Sequence, residues 1–153
     1  MRAEVLGSVA ELVVRVSLEV VAILDGRVVH PVYSTFWLAY HAEVAARRAI
    51  EPFFELGENA VGAELHLRHE GMAPVGADVR IRAEVVEVQG NRVWCTVEAF
   101  VGTRRIATGR QLQVVLPHEV IQQRVRQAYM EAQLPAPEHH PNVRISTPEA
   151  TCG

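Results

Sequence analysis

The chain has no lysine: all fifteen of its basic residues are arginine. A Schiff-base lysine and the phosphate-binding lysine of a P-loop are therefore excluded. Cysteine is nearly as scarce, with Cys95 inside an apolar strand pattern and Cys152 one residue from the end. Neither belongs to a C-x-x-C pair, which excludes a zinc knuckle or thioredoxin-like motif and argues against a disulfide. Long hydrophobic runs are missing too. The most apolar stretch, Leu12 to Leu24, is interrupted by Arg15 and Glu19, the mark of an alternating strand and not of a membrane span. The N-terminus shows no basic region followed by an unbroken apolar run, so no signal peptide is expected. Also absent are a G-x-S-x-G elbow, a G-x-G-x-x-G turn after a strand, H-E-x-x-H, and the basic–aromatic interleaving of an RNA-binding sheet. A net charge of −3 gives no reason to expect a polyanion partner. The expectation is a soluble, cytoplasmic protein without metal, nucleic acid or membrane as partner.

What is present suits one globular domain. Nearly half of the 153 residues are apolar and 22% are charged, enough to bury a substantial core. The domain is expected over residues 1–134. Residues 135–153, rich in proline, histidine and small polar side chains, read as a flexible tail.

Leu12, Val14, Val16, Leu18 and Val20 share one parity, the period of a strand with one covered face. Asp25-Gly26 marks a turn, and Pro31 discourages regular pairing after Val28-Val29. Ser34-Thr35 then precedes Phe36 to Phe54, a run dense in Ala, Leu and Glu; Ser or Thr ahead of such a run is a helix N-cap signal. The helix should stop near Glu51-Pro52. Its alanines at 39, 42, 45, 46 and 49 make it slim enough for a sheet to wrap closely.

Period two returns after Asn59, with Val61, Ala63, Leu65, Leu67 and His69 on one parity and Gly62, Glu64, His66 and Arg68 on the other. Three more strands are predicted, Asp78 to Val88 with a parity switch at Val85-Val86 suggesting a bulge, Arg92 to Val101, and Arg105 to Leu116. Short turns between them imply antiparallel neighbours. Pro117 opens a helix reaching about Gln133. The order is strand, long helix, then four strands in a meander: an α+β arrangement, a curved antiparallel sheet around one buried helix. Dimerisation would remove one exposed sheet edge.

Three polar positions can carry chemistry. His69 has the inward parity at a strand end, fitting a base or proton shuttle, or else a core histidine satisfied by a backbone carbonyl. Glu43 lies among Ala39, Ala42, Val44 and Ala46, where a carboxylate is costly unless paired; the alternative is an i,i+4 pair with Arg47 on a solvated stripe. Thr35 competes with Ser34 to cap the helix, and a hydroxyl beside free N–H groups can also hold a carbonyl or oxyanion. Gly62 either admits a ligand close to the backbone or relieves crowding. Phe36, Trp37 and Tyr40 read as helix-face packing, and His139-His140 as solvated tail residues.

Val32-Tyr33-Ser34-Thr35, Glu43 eight residues on, Val61-Gly62, His69 and Pro74-Val75-Gly76 together resemble the fluoroacetyl-CoA-thioesterase-like branch of the hotdog superfamily, over about Val28 to Val115. The resemblance implies a hotdog fold and hydrolysis of acyl-CoA with Thr35, Glu43 and His69 as the catalytic set. It also implies Gly62 near the thioester carbonyl, with Ser34 and Phe36 beside the substrate. No cofactor is implied beyond the CoA of the substrate, and the assembly expected is a homodimer or dimer of dimers. Phe36 follows Thr35 where that branch commonly has proline, which implies a different acyl pocket. Two other readings stay open, a hotdog module that binds acyl-CoA without cleaving it and an enoyl-CoA hydratase or dehydratase.

Overall fold

A computed structural model describes residues 1–137 of the chain. Most of the expected tail, with His139-His140 and Cys152, lies outside the described residues. β1 (Val9–Arg15), β2 (Val21–Leu24) and β3 (Arg27–Tyr33) precede the helix α1 (Thr35–Ile50). β4 (Glu58–His69), β5 (Asp78–Gln89), β6 (Arg92–Val101), β7 (Arg104–Pro117) and α2 (His118–Glu131) follow. Five strands form one antiparallel sheet in the order β1-β5-β6-β7-β4, and β2 and β3 form a separate hairpin.

This order corrects the four-strand meander. Only β5, β6 and β7 run as neighbours, joined by two-residue turns in which Gly90 and Gly102 take the left-handed conformation. β4 lies at the far edge against β7, and the loop after His69 returns the chain to β5 at the other side. The first strand is also shorter than its parity suggests. Val16 makes the last bonds toward β5's side, its N donating to Ala77 O and its O accepting from Gly76 N, and among the described residues no partner strand continues the ladder beyond it. Ser17–Val20 therefore turns, closed by Val20 N donating to Ser17 O at 3.1 Å, and Leu18 is exposed. Asp25 and Gly26, both with positive φ, make the tight hairpin turn expected of that dipeptide. β3 nevertheless runs through Pro31, because the register jumps from His30↔Ala22 to Tyr33↔Val21 and leaves the proline where no ladder bond is required.

The core lies between α1 and the concave face of the sheet. Leu38, Ala42, Ala45, Ala46, Ala49 and Ile50 line the inner face of the helix. Val79, Ile81, Ala83 and Val85 of β5 and Val93, Cys95, Val97 and Ala99 of β6 supply the opposing layer at strict period two. Each larger aliphatic side chain contributes about 1.5–3 kcal/mol by leaving water. The alanines set the approach distance, and Ala46→Leu is expected to cost about 1–3 kcal/mol by overpacking. The bulge read at Val85-Val86 is present, as the β5–β6 register skips from Val85 to Glu87. Cys95 is buried as a core residue, its thiol pushed up to about 12 by desolvation. The convex face carries charges, with Arg80 over the Phe100 ring at 4.7 Å and Arg110 over the Trp94 ring at 4.5 Å. No helix among the described residues is long and apolar enough to cross a membrane.

Candidate active site

At the start of α1 two adjacent hydroxyls divide the work. Ser34 is buried, and its Oγ accepts from Trp37 N at 3.1 Å, so Ser34 is the cap. Ser34 N donates to Val20 O at 3.0 Å and Tyr33 N to Ala73 O at 2.9 Å, tying the helix start to its neighbours. Thr35 is thereby released from capping. Its Oγ1 lies 2.8 Å from Nδ1 of His69, a contact between residues 34 apart in sequence. His69 is the last residue of β4, half-buried, and the turn beyond it is held by Glu70 N and Gly71 N, both donating to Ile106 O. Desolvation lowers the pKa of its imidazole, partly opposed by a backbone hydrogen bond at Gly71, which favours the neutral ring. Its Nε2 is buried and no partner meets it at hydrogen-bond distance among the described residues.

The second group of residues lies two turns along the helix. Glu43 is exposed and makes no ion pair among the described residues. The i,i+4 pair with Arg47 does not form. Instead the Arg47 guanidinium donates to Asn59 Oδ1 at 2.6 Å and Ala60 O at 3.1 Å, reaches Glu51 at 3.5 Å and covers the Phe54 ring. The Glu43 carboxylate lies over β4 at Gly62, where a Cβ would overlap Oε1. Gln111 Nε2 donates to the same oxygen across 3.5 Å. A cavity of about 460 Å³ opens here, lined by Tyr40, Glu43, Val44, Arg47, Gly62 and Gln113 among others.

A bulge sets up this arrangement. The β4–β7 register skips from Gly62↔Gln113 to Glu64↔Leu112, so Ala63 is an extra residue and parity resets. Gly62 and His69 therefore face the helix together, whereas Val61, expected inside, is 38% exposed. The apolar alternation from Val61 to Leu67 conceals that reset.

Phe36 is exposed and meets Trp37 edge-on. Behind it is a buried pair that sequence reasoning passed over: the Tyr33 hydroxyl and His41 Nδ1, hydrogen-bonded at 2.5 Å. Desolvation lowers His41 to about 4 and raises the Tyr33 hydroxyl. Gln111 and Gln113 were also passed over, although two glutamines on the parity of Val115 are a readable signal. Thus Thr35 meets His69, and Glu43 meets Gly62 and Gln111. No hydrogen bond or ion pair joins these two groups among the described residues.

The family model for fluoroacetyl-CoA-specific thioesterases, FlK, matches residues 16–119. The fluoroacetyl-CoA thioesterase of Streptantibioticus cattleyicolor is 31% identical over 96 residues, 63% of this chain and 69% of that protein. A Thermus thermophilus thioesterase superfamily member superposes with a TM-score of 0.82 at 34% identity, covering 87% of this chain and 98% of that one. A solved structure of the fluoroacetyl-CoA thioesterase FlK gives 0.72 at 26% identity, covering 83% and 96%. A hot-dog-like protein from Thermanaerovibrio acidaminovorans, 23% identical with a TM-score of 0.76, over 82% and 95%, shares the fold. The strand–helix–sheet architecture is thus the hotdog fold, and the chain belongs to the fluoroacetyl-CoA-specific thioesterase family.

Proposed function

We propose that this chain hydrolyses an acyl-CoA thioester to the free acid and CoA through Thr35, Glu43 and His69. The observation that carries the reading is the 2.8 Å contact between Thr35 Oγ1 and His69 Nδ1, which joins a helix start to a strand end. Thr35 and the first N–H groups of α1 steady the carbonyl oxygen as negative charge develops on it. Glu43 acts as nucleophile or as base for water, and His69 passes a proton toward the departing thiolate. Gly62 leaves room for the Glu43 carboxylate at the reacting carbon. CoA enters as part of the substrate, and the mechanism calls on no further cofactor. Ser34 and Phe36 border the bound substrate, and the reading includes a cytoplasmic location.

Eight helical residues separate Thr35 from Glu43 by about 12 Å along the axis. A homodimer resolves the gap. Among the described residues β4 is an unpaired edge on which Val61 and Leu65 are each 38% exposed, and pairing it with its copy removes that edge. Skipping the bulged Ala63, the register that sets Gly62 opposite the partner's His69 also sets Glu64 opposite the partner's Arg68. Opposite charges then meet on the outer face, and each Glu43 looks toward the partner's Thr35.

The test offers short, branched and aryl acyl-CoAs while following free thiol. Wild type is expected to turn over part of that panel, and Glu43→Ala or His69→Ala to lose about 10²–10⁴-fold. Full rates in either variant sink the site assignment. Stabilisation by acyl-CoA without thiol release marks a binding module, and hydration of enoyl-CoA marks a hydratase.

A further inference from the structure

We infer that Gln111 and Gln113 hold the hydrolytic water against Glu43, which makes Glu43 a general base and not a nucleophile. The inference rests on the thioesterase reading of this site. Both glutamines are almost wholly buried, at 1% and 3% exposure, on the inner face of β7. Each leaves one polar atom without a partner among the described residues, Oε1 of Gln111 and Nε2 of Gln113. Buried amide groups are nearly always satisfied, and two orphans beside one carboxylate call for a common ligand. The remaining atom of Gln111, Nε2, already points at Glu43 Oε1, and Gln113 lines the cavity with Glu43. Gln113 pairs in register with Gly62, the residue whose missing Cβ makes space for that carboxylate.

The two orphans are complementary, one acceptor and one donor. Their Cα atoms are about 6–7 Å apart along the strand, a gap that two hydrogen bonds to a shared oxygen can span. A single water matches both. Its oxygen accepts from Gln113 Nε2, one proton goes to Gln111 Oε1, and the other goes to Glu43. Three protein partners are the usual complement of a buried water.

The reaction then balances without an enzyme adduct. Glu43 takes a proton from the water as its oxygen bonds to the acyl carbon, and the carbonyl π pair moves onto the carbonyl oxygen. When that pair returns, the C–S bond breaks and its electrons leave on sulfur, which gains a proton by way of His69. Glu43 returns its proton to solvent. Gln113 touches the reacting water; Gln111 is a positioning residue that orients Glu43.

Gln111→Met and Gln113→Met, each alone, keep the volume and remove the amide. Expected are a kcat lowered roughly ten- to hundredfold, the worth of a hydrogen bond to a charged or reacting group, and a KM within about twofold. Tm should change little, because an amide satisfied by a bound water gives way to an apolar side chain of similar volume. A glutamine that merely packs would leave kcat unchanged. Glu43→Gln separates the catalytic role of the site from the placement of its water. If it keeps full activity, the site reading itself fails; if it is inactive while both methionine variants keep wild-type kcat, only the water assignment fails. Wild type supplies an arm that survives a variant's failure to fold. Turnover in H₂¹⁸O with acid quench is expected to label the product acid and leave the Glu43 peptide unmodified. An acyl adduct or ¹⁸O on Glu43 overturns the general-base role.

Discussion

The two ends of the candidate site are built differently. At the start of α1, Thr35 and His69 meet directly at 2.8 Å, and backbone bonds from Tyr33 N, Ser34 N, Glu70 N and Gly71 N fix the segments that carry them. Two turns on, Glu43 is held by a long 3.5 Å bond and by an absent side chain at Gly62, above buried amides with unmet capacity. The first end is preorganised by hydrogen bonds already made, the second by hydrogen bonds left open. A hydrolase needs both kinds, a rigid place for the carbonyl and proton relay and an adaptable one for water.

The sharpest way to break this contrast is to separate the ends onto different chains. Glu43→Ala and His69→Ala protomers, each expected to be nearly inactive, are mixed after gentle dissociation. If β4 pairing brings one protomer's Glu43 to its partner's His69, half the dimers are mixed and each has one intact site. Thiol release should then recover to about a quarter of wild type. No recovery in verified mixed dimers means that each chain holds its own complete site.

The buried Tyr33–His41 pair behind the rigid end gives a pH signature. His41 falls to about 4 in the fold from 6.5, so the unfolded chain binds the proton that the folded chain refuses. Stability is therefore complete above about pH 6.5 and is lost as pH falls toward 4, by on the order of 3 kcal/mol. Urea unfolding across that range should show the loss, and His41→Phe should flatten it. An unchanged slope in His41→Phe assigns the pH dependence to other groups.

Gly62→Ala probes the adaptable end more gently. The new methyl overlaps the tip of the flexible Glu43 side chain and not the backbone, so the fold should tolerate it while thiol release falls about tenfold through a displaced carboxylate. Unchanged kinetics would show that Glu43 does not need its notch.

The smallest expected effect distinguishes the neighbouring hydroxyls. Ser34→Ala should cost about 1 kcal/mol of stability as a lost cap, with kcat nearly retained. Thr35→Val should do the reverse, lowering kcat with little change in Tm. Equal effects on both quantities would deny the division of labour.

Much of this was legible along the chain because periodicity reports burial. The long alanine-rich helix, the turns at Asp25-Gly26, Gly90 and Gly102, and the bulge at Val85-Val86 each leave a local mark, the last as two adjacent β-branched residues that break parity. The bulge at Ala63 leaves none, since Val61, Ala63 and Leu65 are apolar whichever face they occupy. Resemblance to a known family, not periodicity, set Thr35, Glu43 and His69 together. Gln111 and Gln113 went unmarked because a strand's polar residues are ordinarily its solvent face.

The sequence alone determined the long central helix, the strands β5, β6 and β7 with their turns, and the apolar layer between helix and sheet, all of which follow from spacing along a regular backbone. Tertiary structure alone decided that β4 crosses to the far edge, that Ser34 and not Thr35 caps α1, and that Gly62 and His69 share a face. Each of those depends on which distant group is within hydrogen-bond reach, 34 residues away in the case of Thr35 and His69. Side-chain spacing carries no information about such a partner until the chain has closed upon itself.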